Sequence, residues 1–197
     1  MRVKNFEEVA TGYRLEDALV EAERCLDCAD QPCVRGCPVG IDIPGFILKI
    51  AAKNFHGAYD VITDTNLLPS VCGRVCPQES QCEGVCTVGE TLEPVAIGRL
   101  ERFVGDNARP HKAEPPRFER SLGKVAVVGS GPSGLAVAAD LVKFGCDVTV
   151  YEALHVVGGL GGLGGVGCRL RPGDRDDGRL HRGCCRHHRH GVDRRGR

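Results

Sequence analysis

The sequence predicts an α-helical, cysteine-rich domain, followed by an incomplete α/β domain and a disordered C-terminal tail. Eight of the twelve cysteines lie between positions 25 and 86, which marks the first domain. A glycine-rich turn that follows a β-branched run marks the second, and the loss of any apolar pattern after it marks the tail. The predicted boundaries are 1–107 for the helical domain, 108–123 for a linker, 124–157 for a strand–helix–strand unit and 158–197 for the tail.

Composition narrows the class of protein. The 197 residues have a formal net charge of zero, although residues 168–197 alone hold ten Arg and four Asp. A balanced charge argues against a general role in binding nucleic acid or membrane surfaces. No apolar run is long enough for a transmembrane helix, and the N-terminus lacks the apolar segment of a signal peptide. We therefore expect a cytoplasmic protein, in which so many cysteines indicate metal or redox chemistry rather than disulfides.

Helical periodicity predicts the elements that surround the cysteines. A lead-in helix runs into Cys25, and Asp42 is a plausible N-cap for the helix that follows it. Two helices separate the cysteine groups and can fold back to bring them together. Gly73 and Gly84 are expected in tight turns of ligand-binding loops. The predicted helices are a lead-in within 1–24, then 44–53, 58–65 and 95–104.

The cysteines form two quartets with the spacings C-x2-C-x4-C-x3-C and C-x3-C-x5-C-x3-C. The first is Cys25, Cys28, Cys33 and Cys37, and the second is Cys72, Cys76, Cys82 and Cys86. Structural zinc usually shows paired C-x2-C elements, and only one such pair is present. Eight thiolates with two Cys-Pro pairs suit two 4Fe-4S clusters, each of which takes four cysteine ligands. The spacing favours a double-4Fe-4S, ferredoxin-like domain, and a zinc-stabilised interaction domain is the alternative.

The order of the cysteines predicts that ligands cross between the quartets. In two-cluster ferredoxins the last cysteine of a run serves the other cluster. By the same logic, Cys37 and Cys86 are the residues expected to cross over here.

The glycine turn of the second domain predicts a dinucleotide site in a Rossmann-type βαβ unit. Its pattern, G-x-G-x-x-G, stands between a β-branched strand and a small-residue helix. The first glycine permits the tight turn, the second lets a pyrophosphate approach, and the third allows close helix packing. Glu152, at the end of a second, parallel strand, suits a ribose hydroxyl and favours FAD or NAD over NADP. The candidate cofactor-binding residues are Gly129, Gly131, Pro132, Ser133, Gly134, Glu152 and Gly159; no residue is predicted to be catalytic.

The tail has a low-complexity composition. Residues 158–167 contain seven glycines, and the sequence from Cys168 onward is rich in Arg, Gly, His and Cys. We interpret it as disordered, and as the product of GC-rich DNA translated in a wrong frame. An intact reading frame on resequencing of the gene would contradict the frameshift.

Residues 1–157, about four-fifths of the chain, resemble the N-terminal part of the glutamate synthase small (beta) subunit and related flavoproteins. They also resemble the N-terminal half of dihydropyrimidine dehydrogenase. The matching stretches are R-C-L-D-C at 24–28, G-C-P-V-G-I-D-I-P-G-F-I at 36–47, C-G-R-V-C-P-Q-E-S-Q-C-E-G-V-C at 72–86, E-P-V-A-I-G-R-L-E-R-F-V at 93–104 and V-A-V-V-G-S-G-P-S-G-L-A at 125–136.

The resemblance implies a specific set of cluster ligands. One cluster would be bound by Cys25, Cys28, Cys33 and Cys86, and the other by Cys37, Cys76 and Cys82 with Glu101 or Cys72 as the eighth ligand. In the dihydropyrimidine dehydrogenase branch that ligand is a glutamine on the helix after the cysteines, and Glu101 aligns there with a one-residue shift. A thiolate is the commoner ligand, so both residues remain candidates.

The resemblance also implies FAD in the second domain and electron transfer from NAD(P)H, through FAD and the clusters, to a partner such as the glutamate synthase large subunit. The family continues past Gly158 and Gly159 into more FAD domain and an NAD(P)H domain. This chain instead enters its tail, so its FAD site is expected to be incomplete and the chain inactive alone. A non-enzymatic, ferredoxin-like electron-transfer module is the alternative function.

Overall fold

Short α-helices build the N-terminal unit of the computed structural model, which describes residues 8–108, 122–153, 156–158, 163–164 and 169–170. The chain divides into two units near residue 110, and each is described by itself. Helices α1 to α6 span Leu15–Ala22, Pro32–Gly36, Ile43–Ala51, Phe55–Thr65, Pro69–Val75 and Ile97–Asn107. Single turns of 3-10 helix lie at Gln78–Ser80 and Thr87–Glu90.

Helix α3 is the centre of the core of this unit. It begins behind Asp42, whose Oδ1 accepts a hydrogen bond from the Gly45 N–H at 3.0 Å, as the sequence predicted. Its apolar face, which includes Phe46, Ile47 and Ile50, is almost completely buried. This face packs in one cluster with residues of α1, α4 and α6, so α3 joins helices that are distant in sequence.

Helices α5 and α6 approach each other closely because glycines lie between them. A Cβ atom at Gly73 would stand 2.7 Å from the Gly98 carbonyl oxygen, and one at Gly105 would stand 2.6 Å from the Ser70 nitrogen. The expectation of a tight turn at Gly73 is wrong, because this glycine lies inside α5 and serves helix packing. Gly84 does lie in a turn.

The lead-in helix is shorter than predicted because an extended segment precedes it. Arg102 on α6 is 8% exposed and donates a hydrogen bond to the Ala10 carbonyl oxygen at 2.5 Å. It also forms an ion pair with Glu8, with 2.9 Å between Nη2 and Oε2. These contacts hold residues 8–10 against α6, and regular helix starts only at Leu15.

The second unit contains the predicted strand–helix–strand arrangement. Strand β1 (Lys124–Val128), helix α7 (Pro132–Lys143) and strand β2 (Asp147–Tyr151) follow one another. The two strands are parallel, with Lys124 opposite Asp147. Buried side chains of the strands, helix and connecting segment form a small core: Val127, Ala138, Cys146, Val148 and Val150. The prediction of a parallel βαβ unit is confirmed.

Short strands after this unit were not predicted. Strand β3 (Val156–Val157) pairs antiparallel with β4 (Leu163–Gly164), and β5 (Arg169–Leu170) pairs antiparallel with β2. The prediction of a tail without regular structure over 158–197 is wrong at β4 and β5, because backbone hydrogen bonds to a strand edge require no alternating side-chain pattern. Gly159, residues 171–197 and residues 109–121 of the predicted linker lie outside the described residues.

No helix in the described part of the chain is both long and apolar enough to cross a membrane.

Candidate functional site

One pocket of the N-terminal unit brings together cysteines from both ends of the cysteine-rich stretch. Cys25, Cys28, Cys33 and Cys86 all line it. Cys25 follows the end of α1, Cys33 lies in the first turn of α2, and Cys86 precedes the 3-10 turn that starts at Thr87. The rest of the wall is mainly apolar and comes from α3, α6 and the segments next to the cysteines: Leu26, Pro32, Ile43, Pro44, Ile47, Thr87, Val88, Val95 and Ile97. The fold thus groups the last cysteine of the second run with three of the first.

A second group of cysteines lies near Glu101 of helix α6. Burial raises the pKa of the Cys82 thiol to about 12, and the neighbouring charges of Glu83, Cys37 and Glu101 add to it. Burial also raises the pKa of Cys76, to which Glu101 and Cys37 again contribute. The charges of Cys37 and Glu101 thus act on both Cys76 and Cys82, which indicates that these side chains lie near one another.

The burial of these thiols bears on what they can bind. Burial raises the pKa of Cys33 to about 11, and it raises the pKa of Cys25 in the same pocket. Without a nearby cation, such thiols are protonated at neutral pH, whereas a bound metal takes them as thiolates. Partly buried sulfur donors of this kind suit a soft cationic group, which would supply the missing positive charge.

Glu101 is a buried carboxyl group among these cysteines. Its exposed fraction is 6%, and burial raises its pKa to about 7, against a smaller lowering by Asn66. The Asn66 Nδ2 donates a hydrogen bond to Glu101 Oε1 at 2.6 Å. In residues 8–108 no Lys, Arg or His forms an ion pair with Glu101. A carboxylate buried without a counter-ion is unfavourable, so this position fits a cation ligand.

Cys72 lies at the α5 side of the second group. Its Sγ stands 3.4 Å from Asn66 Oδ1, the other end of the amide that donates to Glu101. Burial raises its pKa to about 11, and charges on Glu101 and Cys76 contribute. Both candidates for the eighth ligand therefore contact the same asparagine.

The described residues do not show the compact donor set of a single-ion site. No three His, Cys, Asp or Glu side chains within them converge closely enough to hold one metal ion. A tetrahedral zinc site needs four donors around one atom, whereas a cluster has one iron for each of its ligands and spreads them more widely.

Sequence reasoning missed the residues that fix α6 beside the cysteines. The N-cap residue of α6, Ala96, has no side-chain cap of its own. Instead, Glu21 Oε1 accepts from the Ala96 N–H at 2.8 Å, and Glu83 Oε1 accepts from the Gly98 N–H at 2.9 Å. Glu83 follows Cys82 directly. The position of Glu83 between Cys82 and Cys86 was the only hint in the sequence of a role at the site. A helix cap supplied by a distant segment leaves no recognisable pattern in the sequence next to the helix.

The glycine turn of the second unit has the predicted geometry. Gly129 has φ of +94°, which favours glycine, and a Cβ at Gly134 would stand 2.1 Å from the Gly129 carbonyl oxygen. Among the described residues, a Cβ at Gly131 would meet no atom within 4 Å, so the backbone there is open to a ligand. Helix α7 begins with Pro132 and Ser133.

Glu152 and the fully buried Ser130 contact each other at the end of the parallel strands. Ser130 donates to Glu152 Oε2 from its backbone nitrogen at 2.9 Å and from its hydroxyl group at 2.5 Å. The Ser130 hydroxyl in turn accepts from the Gly158 N–H at 3.0 Å. The predicted ribose-binding carboxylate is thus oriented by a serine that the sequence did not single out.

Family models match segments in both units of the chain. Residues 2–113 match the family described as dihydropyrimidine dehydrogenase domain II, 4Fe-4S cluster, and residues 127–164 match the NAD(P)-binding Rossmann-like domain. The NAD-dependent dihydropyrimidine dehydrogenase subunit PreT of Escherichia coli (strain K12) is 44% identical over 136 residues, which cover 68% of this chain and 33% of that protein.

Glutamate synthase (NADPH) small chains are also similar. That of Halomonas elongata is 37% identical over 164 residues, and that of Escherichia coli (strain K12) is 35% identical over 162 residues; each match covers 81% of this chain and 34% of the relative. The chain thus spans about a third of the length of these curated relatives. Because the family match covers more than half of the chain, this chain belongs to the dihydropyrimidine dehydrogenase domain II family of 4Fe-4S proteins.

Proposed function

We propose that this chain is an electron-transfer oxidoreductase subunit that holds two 4Fe-4S clusters and the start of an FAD site. In this proposal electrons pass from NAD(P)H through FAD and the clusters to a partner protein. The observation that carries it is the pocket in which Cys86 joins Cys25, Cys28 and Cys33. The relatives named as a subunit or a small chain support a partner subunit.

The two cysteine groups supply the ligands. The first cluster site consists of the four cysteines that line the pocket, and the second of Cys37, Cys76 and Cys82 with one further donor. Thiolates are the usual ligands of iron–sulfur clusters, so the donor set fits the group. The apolar wall of the first pocket limits access of water, which influences the reduction potential of a bound cluster.

Glu101 is the eighth ligand in this proposal. Its charge contributes to the raised pKa of Cys76, Cys82 and Cys72 alike, so the carboxyl group lies near all three thiols, while Cys72 shares a side-chain hydrogen bond with Cys76. Burial without a counter-ion further favours coordination by the carboxylate. Cys72 would then stand beside the cluster as a neighbour.

The chemistry of the clusters is the acceptance and release of single electrons. The residues of this chain hold the thiolates in place and shield them from solvent. In the second unit, the open backbone at Gly131 and the N-terminus of α7 would face the phosphates of FAD, and Ser130 would orient Glu152 toward a ribose hydroxyl.

Metal analysis tests the presence of two clusters. After anaerobic reconstitution we expect about eight iron and about eight sulfide per chain, because each 4Fe-4S cluster holds four of each. The measurement is iron, sulfide and zinc content together with the EPR spectrum of the reduced protein. Zinc without iron would support the interaction-domain alternative, and about four iron would show a single cluster.

Three variants test the eighth ligand. Glu101→Ala is expected to lower the iron content from about eight to about four per chain, because the second cluster loses its oxygen ligand. Cys72→Ala, a change on the same side of that cluster, is expected to keep the full iron content. Glu101→Gln retains a side-chain oxygen and should keep the cluster with altered EPR g values. The reverse result, with loss in Cys72→Ala alone, would assign the ligand to Cys72.

A further inference from the structure

Helix α6 is capped by side chains from other parts of the chain. Its first turn exposes backbone N–H groups that the N-cap residue Ala96 cannot satisfy. Glu21, which also pairs with Arg24 at 2.6 Å, accepts from Ala96, and Glu83 accepts from Gly98. Both carboxylates lie close to predicted cluster ligands in sequence, since Cys25 follows Arg24 and Cys82 precedes Glu83.

The contact between Glu83 and α6 is part of a larger docking of the second cysteine run. Gln78 Nε2 donates to the Cys72 carbonyl oxygen at 3.2 Å, and the backbone oxygen of Gln78 accepts from the Glu83 N–H at 3.0 Å. A Cβ at Gly98 would stand 2.3 Å from Gln78 Nε2, so the absence of a side chain lets Gln78 reach the helix. The turn that bears Cys82 is thereby fastened to the first turn of α6.

Glu101 lies on the same helix, three residues after Gly98, which is close to one helical turn. A shift of the first turn of α6 would therefore move the Glu101 carboxyl group relative to Cys82. The carboxylate of Glu83 is half-buried beneath this turn and fixes the distance between the two elements through the 2.9 Å hydrogen bond.

We propose that Glu83 is a positioning residue of the second cluster site. It keeps Glu101 on α6 in the correct position relative to Cys76 and Cys82. The inference rests on the proposed function, because it takes Glu101 as the eighth ligand. Glu83 itself is not a ligand in this arrangement; it acts through its hydrogen bond to the helix.

The test compares two replacements of Glu83 that have a similar length. Glu83→Met keeps the apolar stem and loses the acceptor, so the reconstituted chain should fall from about eight to about four iron and lose the EPR signal of the second cluster. Glu83→Gln keeps an oxygen that can accept from Gly98, and it should restore the iron content and the signal. Glu79→Gln, which removes a charge from the exposed surface of the same segment, is the matched control and should change neither.

Each outcome decides the matter. Full iron content with an unchanged EPR spectrum in Glu83→Met would overturn the proposal, as would complete loss of iron, which would indicate general unfolding. Equal losses of iron in Glu83→Met and Glu83→Gln would show that cluster binding requires the negative charge of Glu83 and not its hydrogen bond to Gly98, which would contradict the proposed role. Glu101→Ala is measured in parallel: if it keeps both clusters while Glu83→Met loses one, Glu101 is not the eighth ligand and the proposal that Glu83 acts by positioning it is overturned, although the two-cluster assignment itself stands.

Discussion

Cys86→Ala and Cys25→Ala are each expected to remove the same cluster, so that each variant retains about four iron atoms per chain after reconstitution. The reason is that the two thiols line one pocket although 60 positions separate them in the sequence. The double variant with both changes should still retain about four iron, because the second change affects a site that is already lost. Iron content and the EPR spectrum of the reduced protein measure the effect.

A different double variant supplies the contrast. Cys25→Ala combined with Cys37→Ala changes two cysteines of one run, and we expect it to bind almost no iron because one ligand of each cluster is missing. Cys146→Ala is the control, since this buried cysteine belongs to the core of the other unit and should leave the iron content unchanged. Retention of one cluster by Cys25→Ala/Cys37→Ala would show that each run binds its own cluster.

Gly73→Ala is expected to lower the free energy of unfolding of the N-terminal unit by about 3 kcal/mol, at the upper end of the usual range for overpacking. The added methyl group would stand 2.7 Å from both the Gly98 carbonyl oxygen and the Arg102 backbone nitrogen. Backbone atoms of a packed helix cannot rotate away, so α5 and α6 must separate. Urea denaturation followed by circular dichroism, under anaerobic conditions, gives the change.

The control for this prediction lies on the same helix. Val71 is 43% exposed, and Val71→Ala should change the free energy of unfolding by less than about 1 kcal/mol. Cys72 lies on α5, Cys76 lies at the end of α5, and Glu101 lies on α6. Because Gly73→Ala should separate these two helices, it should also weaken binding of the second cluster. A Gly73→Ala protein as stable as Val71→Ala would mean that the two helices can move apart freely.

Local signals in the sequence predicted local structure well. The helix cap at Asp42 is a hydrogen bond to Gly45, only three residues away. The turn at Gly129 depends only on the backbone angles of that residue. The crossing of Cys86 to the first run followed from analogy with other clustered cysteines, and the fold now supplies the pocket. Matching to relatives confirmed the family, while the individual ligands stay predictions.

Contacts between distant segments could not be predicted in this way. Gly73 signalled a special requirement, but the sequence did not show whether that requirement was a turn or a close helix contact. Glu83 resembled any solvated glutamate until the first turn of α6 was placed above it. The pairing of β5 with β2 depends on backbone atoms, which every residue except proline can supply.

The meeting of Cys86 with Cys25, Cys28 and Cys33 has a consequence for biosynthesis. During translation, Cys25, Cys28 and Cys33 are synthesised well before Cys86. The nascent chain therefore carries only three of the four pocket cysteines while α3, α4 and α5 are still being made. With Glu101 as the proposed eighth ligand, the second site would be delayed further, because Glu101 lies beyond both runs. Domains generally fold as units during synthesis. Under the proposed ligand set, cluster insertion would therefore follow translation of the whole helical unit, and the early thiols would have to remain reduced until then.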